Sequence, residues 1–208
     1  MGKEKPTERV ITYVDGYNLY HGLRDKEWKW AYWLNIQALA KRLLKPKQTL
    51  IETKYFTSII THAESRQRRQ RIYLEALNTL DDFHIYYGHF MTDSVICKTC
   101  GHEHTTFHEK MTDVNISIEM MTDAFQDRFD KAMLISADSD LVPLVKSVRT
   151  LFKKSVIAAF PPKRSSVALI QFCSGYTYIG RNVLYQSLFP DNVIKPDGFV
   201  LQRPEEWR

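Results

Sequence analysis

Short β-branched and aromatic runs alternate with helical periodicity along almost the whole chain, and this alternation restricts the fold more than any other feature. The runs at 9–15 (RVITYVD), 49–60 (TLIETKYFTSII), 83–90 (FHIYYGHF), 131–136 (KAMLIS), 154–160 (KSVIAAF) and 176–179 (YTYI) read as strands. A helix can begin at GYNLYHGLRD, and helical spacing recurs over 33–44, 63–80, 113–126, 139–152 and 165–173. Pro46 closes the 33–44 segment, and Pro143 sits in the first turns of its helix, where proline is tolerated. In the 113–126 helix, Val114, Ile118, Met121 and Phe125 recur 4, 3 and 4 residues apart, which predicts its core-facing stripe. Strand–helix–strand repetition predicts an α/β fold with a mostly parallel central sheet and helices on both faces.

The chain has 208 residues, 44% hydrophobic and 25% charged, which suits one domain over 1–180 with a proline-bearing tail, 181–208, packed on the same body. No run approaches the roughly 20 apolar residues that span a membrane. The polar start MGKEKPTERV lacks an apolar signal core, and three cysteines argue against a disulfide framework, so a cytoplasmic location is expected. The formal charge of +5 suits a phosphate-bearing partner, although the same charge can simply keep the surface solvated.

Four acids stand where strands end or helices begin. Asp15 ends the first strand, Asp138 and Asp140 follow the 131–136 strand in LISADSD, and Asp113 opens the 113–126 helix. Each alone reads as a helix cap, favoured by free amide N–H groups and the helix dipole. In a parallel sheet, however, ligands bind beyond the carboxyl ends of the strands. Acids from neighbouring strands would then meet in one crevice. Two like charges about 4 Å apart repel by about 4 kcal/mol at an effective dielectric of about 20, so such a cluster persists by protonating or by binding a cation. Mg²⁺ and Mn²⁺ prefer oxygen ligands, and an acid-lined metal beside a basic surface fits phosphodiester hydrolysis. Glu119 and Asp123, four apart on one helix face, either join the outer part of such a site or form a solvated face. A phosphatase with an aspartyl nucleophile fits less well, because position 17 is Tyr where a second acid is expected.

The helix start RQRRQR supplies Arg66, Arg68, Arg69 and Arg71, and PPKR supplies Lys163 and Arg164. Guanidinium groups suit phosphates, while a solvated helix face is the plainer reading. Tyr17, Tyr20, Trp28, Trp30, Tyr32 and Trp33 either stack on exposed bases or pack in the core. A long polar loop is expected over 91–112, carrying Cys97, Cys100, His102, His104 and His108. A C-x₂-C pair followed by histidines can hold a structural Zn²⁺, and an unmetallated or redox-active loop is the alternative.

The segments YVDGYNLYH, EKMTDVNISIEMMTDAF and KAMLISADSDLVPLVKSV resemble, in order and spacing, the NYN domain family (LabA-like proteins), within the PIN-like nuclease superfamily. The closing LFPDNV and VLQRPEEW also resemble the end of such chains. The resemblance implies a PIN-like, Rossmannoid three-layer sandwich and an endoribonuclease using Mg²⁺ or Mn²⁺ on RNA. The family's first-strand acid falls on Asp15, its companion on Asn18, its helix-opening acid on Asp113, and its Ser-x-Asp-Ser-Asp motif on Ser136, Asp138 and Asp140. Ala137 departs from the usual glycine, and Met111-Thr112 from the usual Gly-Val. The roles implied are metal binding by Asp15, Asp113 and Asp138, directly or through water. Asp140 is a further ligand or a cap, Asn18 orients Asp15 or meets a phosphate, and Ser136 meets substrate. A module that binds RNA or protein without cutting would keep the same fold. The tail and the aromatic segment are candidate homodimer surfaces.

Overall fold

A computed structural model describes residues 7–61, 63–96, 99–100 and 103–208, with 89–96 and 103–110 described by backbone alone. The first half of the chain forms β1 (Glu8–Asp15), α1 (Gly16–Arg24), a 3₁₀ turn (Lys29–Trp33), α2 (Ile36–Leu43), β2 (Gln48–Ser58), α3 (Glu64–Leu77), β3 (Phe83–Ile96) and β4 (Glu103–Lys110). The second half forms α4 (Thr112–Phe125), β5 (Lys131–Ile135), a 3₁₀ turn (Ser139–Leu141), α5 (Val142–Leu151), β6 (Ser155–Phe160), α6 (Val167–Phe172) and β7 (Gly175–Tyr178). It closes with α7 (Arg181–Tyr185), β8 (Asn192–Ile194), β9 (Val200–Gln202) and a last 3₁₀ turn (Glu205–Trp207).

The main sheet has the order β4-β3-β2-β1-β5-β6-β7. All neighbours pair in parallel except β3 and β4. β1 hands the chain outward to β2 and β3, whereas β5 hands it the other way to β6 and β7. The order therefore reverses between β1 and β5, and a crevice opens beyond their carboxyl ends.

Alternation along β1 divides the core between two faces. Val10 and Val14 join Leu19 and Leu23 of α1, Ile36 and Leu39 of α2, and Leu74 and Leu77 of α3. Ile11 and Tyr13 face the other way, onto Ile116 and Met120 of α4, Leu144 and Val148 of α5, and Leu169 of α6. This is the expected three-layer α/β sandwich. The tail adds Leu184, Phe189, Val193 and Leu201 to the first face. The Trp33 indole donates to the Pro190 carbonyl at 2.8 Å, and Trp33 lies against Phe189 and Trp207. The aromatic segment is thus engaged by the tail of its own chain.

Three expectations change. The helix expected over 33–44 begins only at Ile36, because Asn35 caps it by accepting the Ala38 N–H at 2.8 Å. The polar loop expected over 91–112 is instead an antiparallel arm: β3 runs on to Ile96 and β4 returns from Glu103, with His89 opposite Lys110. Backbone pairing supplies the order that a polar segment cannot draw from a core. Of the stripe expected to face the core from α4, Met121 packs half-buried against the core and the other three residues face solvent. Val114, Ile118 and Phe125 are 54%, 57% and 78% exposed, while Ile116, Met120, Asp123 and Ala124 are buried.

The physical reason for the last change is an ionic cluster under α4. Asp123 is buried and accepts from the Tyr13 hydroxyl at 2.6 Å and the Arg128 guanidinium at 2.7 Å, with the Lys54 ammonium at 2.6 Å. Lys54, equally buried on β2, also meets Glu119 at 2.8 Å. Arg128 reaches on to Glu52 at 2.6 Å. Burial alone would pull the Lys54 ammonium down, but the Asp123 and Glu119 carboxylates outweigh it and hold its pKa above the ordinary lysine value. Glu119 and Asp123 are therefore neither a solvated face nor part of an acid site. They fasten α4 to the sheet. Removing one partner of a buried pair typically costs about 3–5 kcal/mol. Asp123→Ala is expected to lose that much, read as a drop in the urea midpoint at unchanged slope.

Candidate functional site

Asp15 is the last residue of β1 and the N-cap of α1. One carboxylate oxygen accepts the Asn18 N–H at 2.9 Å, closing the first turn. The other accepts the Ser136 hydroxyl at 2.8 Å, across the boundary between β1 and β5. The cap expected from sequence exists, and the same side chain is also tied to the neighbouring strand. Gly16 lets α1 start flush against β2, since a Cβ there would lie 2.7 Å from both the Phe56 carbonyl oxygen and the Tyr55 ring.

The Ser136 oxygen in turn accepts the Asp138 N–H at 3.0 Å. Asp138 caps the Ser139–Leu141 turn by accepting the Asp140 N–H at 2.9 Å. The Asn18 side-chain oxygen accepts the Ala137 N–H at 3.1 Å. Asn18 thus holds the loop after β5 against α1. Of the two readings of Asp140, the cap is corrected here. Ser136 is fully buried and both gives and takes an internal hydrogen bond, so it ties Asp15 to Asp138. The cap of the turn is Asp138, which leaves Asp140 exposed at the mouth of the crevice.

Asp113 lies in the first turn of α4, directly after β4 returns to the sheet edge beside Gly88 and His89. The topology brings Asp15, Asp138, Asp140 and Asp113 to one edge of the sheet. Among the described residues, no three His, Cys, Asp or Glu side chains converge on a single point that would hold a metal. Two carboxylates, Asp15 and Asp138, are joined through Ser136. Such a set suits a hydrated Mg²⁺ or Mn²⁺, which keeps several waters and takes one or two carboxylates.

The basic candidates separate. Arg66 and Arg69 line a cavity of about 470 Å³ beside α1, together with Gln70 and Tyr73. These four lie at i, i+3, i+4 and i+7, one face of α3. Arg68 and Arg71 are exposed and outside that lining. Arg164 is paired with Asp25 at 2.7 Å, and Lys163 is exposed. Of the Cys/His candidates, Cys100 is exposed, while Cys97 and His102 lie outside the described residues, as do the side chains of His104 and His108. The backbone puts His104 opposite Val95 and His108 opposite Met91, about 13 Å apart along β4.

Sequence reasoning missed the cavity because its walls come from separate segments: α1, the 29–33 turn, the end of β2, α3 and Trp207. The i, i+3, i+4, i+7 spacing of Tyr17, Tyr20, His21 and Arg24 was the available signal. His21 packs 4.0 Å from the Tyr17 ring, between centroids. Burial first, then the nearby Arg24 and Arg164, lower its pKa below the ordinary 6.5. The unfolded chain therefore takes up this proton before the folded one does, and stability falls as pH drops below about 6.5. An NMR titration of His21 is expected to give a midpoint below 6.5. His21→Asn should flatten the fall in melting temperature between pH 6.5 and 5.

Comparison with known proteins follows this geometry. A Pseudomonas putida protein named 6-hydroxy-3-succinoylpyridine 3-monooxygenase HspA is 25% identical, over 68% of this chain and 55% of that protein. The chain thus spans about half the length of this curated relative. A crystal structure of a Vibrio parahaemolyticus protein of unknown function has the same fold, with a TM-score of 0.55 at 18% identity, over 90% of this chain and all of that one. The model of the NYN domain matches residues 9–180, which hold the Asp15, Asp113 and Asp138 positions, and the chain belongs to the NYN domain family of the PIN-like nuclease superfamily.

Proposed function

We infer that this protein is a metal-dependent endoribonuclease whose site lies beyond β1 and β5. The observation that carries this reading is the bonded chain Asp15–Ser136–Asp138 at the point where the strand order reverses. Asp15 is 4% exposed and fixed from two sides, so its carboxylate is held in position before any ligand arrives. Asp138 is only part-buried. Asn18 keeps the loop between them from drifting. Asp15 and Asp138 would hold Mg²⁺ or Mn²⁺, with Asp113 and Asp140 meeting its waters. When bound, such an ion polarises a phosphate oxygen and lowers the pKa of a coordinated water. The chain's own residues orient the scissile phosphate and neutralise its neighbours, the latter through Arg66 and Arg69 beside α1.

A second reading is RNA binding without cleavage. It is favoured by the absence, among the described residues, of a ready three-ligand group. The hydroxylation named for the Pseudomonas protein is not carried over, because the match leaves nearly half of that protein uncovered.

Incubation of the full chain with single-stranded RNA and Mn²⁺ or Mg²⁺ separates the two readings. Cleavage is expected, abolished by EDTA and reduced at least about 100-fold in Asp15→Asn and Asp138→Asn, the range seen when one group stabilising a transition state is lost. Cleavage that survives both substitutions would overturn the site. Binding without cleavage in any divalent metal would leave the second reading.

A further inference from the structure

Beyond the two arginines already assigned to neighbouring phosphates, the cavity beside α1 has walls that the proposed cleavage chemistry does not require. Its described lining holds Arg24, Arg66 and Arg69 and not one carboxylate. The walls otherwise mix aromatic and aliphatic side chains. Tyr17 and Tyr20 stand 48% and 43% exposed at its rim, with Tyr20 against Tyr32 at 5.1 Å between ring centroids. Half-exposed aromatic rings offer faces on which proteins stack unpaired bases. At about 470 Å³ the cavity falls within the range of about 300–1,000 Å³ that encloses small ligands.

The walls are held from behind. Gln70 accepts the Ile60 N–H and donates to the Ser58 carbonyl, both at 2.8 Å, and so pins α3 to the end of β2. The Tyr73 hydroxyl donates to the Leu34 carbonyl at 2.8 Å. Trp207, from the last turn of the chain, closes the far side against Tyr32 and Tyr73. Beside it, Glu206 pairs with Arg69 at 2.7 Å. Glu206 is 60% exposed, so an arriving phosphate can displace it from the guanidinium. The cavity begins at Gly16 and Tyr17, the residues that directly follow Asp15. A strand crossing the start of α1 would meet the acids at one phosphate and the cavity at the adjoining nucleotide.

We propose that this cavity seats one unpaired nucleotide of the RNA, its base on the Tyr17 and Tyr20 rings and its phosphate on Arg66 and Arg69. The proposal rests on the reading that RNA is the partner, but not on cleavage. A paired base cannot enter, so the subsite selects single strands.

The test uses the full chain carrying Asp15→Asn, which removes cleavage, and a labelled six-residue single-stranded RNA followed by fluorescence anisotropy. Arg66→Ala and Tyr20→Ala are each expected to raise Kd about ten-fold. Arg66→Ala should also lower the slope of log Kd against log salt by about 0.7. Lys41→Ala, an equal charge change on α2 outside the cavity lining, should leave Kd within about two-fold. The same RNA in a duplex should bind at least ten-fold more weakly than the single strand. Tight binding that both cavity substitutions leave within two-fold overturns the subsite while sparing the nuclease reading. Cavity-dependent binding in a protein that never cleaves supports the subsite and sinks the nuclease reading. No RNA binding at all overturns both.

Discussion

Asp15 accepts a hydrogen bond from Ser136 across the seam between β1 and β5, and the arrangement of the whole carboxyl edge hangs on that contact. The seam is where the sheet reverses its order, so the chain leaves it in opposite directions and leaves a gap. Without a tie, the loops after the two strands would be independent. Ser136 ties them by donating to Asp15 and accepting from Asp138, and Asn18 adds a second tie to Ala137. Each hydrogen bond involving a carboxylate in a dry setting is stronger than its counterpart in water. The result is a pair of acids fixed relative to one another by the backbone geometry of two neighbouring strands.

A second constraint sets where Asp113 lies. α4 carries it, and α4 is fastened by Asp123, Glu119, Lys54, Arg128 and Tyr13 beside the buried Ile116, Met120 and Ala124. An ionic contact of this kind is directional, whereas an apolar face tolerates rotation of the helix. It therefore fixes which residues of α4 point outward, and Val114, Ile118 and Phe125 are left in solvent as a consequence.

Much of this was legible in the sequence. Runs of four to twelve residues with β-branched and aromatic side chains, alternating with helical spacing, pointed to the parallel α/β sandwich, and the acid at the end of RVITYVD marked the carboxyl edge. The α4 face was misread because hydrophobic spacing carries no information about buried charge. The clue was on another element: Lys54 is the one base in the strand TLIETKYFTS, and a buried lysine needs a carboxylate partner. The antiparallel arm was missed because a polar run carries no strand signal, while the pairing of β3 with β4 is a backbone feature. The direction of the Ser136 hydroxyl, toward Asp15, was not legible, because a motif shows residue types and not which way a hydroxyl points. The cavity was beyond reach, since five separated segments build it.

The central claim is that Asp15 and Asp138 are two walls of one cation site. Anomalous scattering from crystals soaked in Mn²⁺ tests it most directly. The account predicts a peak within bonding reach of both carboxylates, about 2.0–2.2 Å from at least one of them and bridged to the other by water or directly. A Mn²⁺-saturated crystal with no peak at the carboxyl ends of β1 and β5 would contradict it.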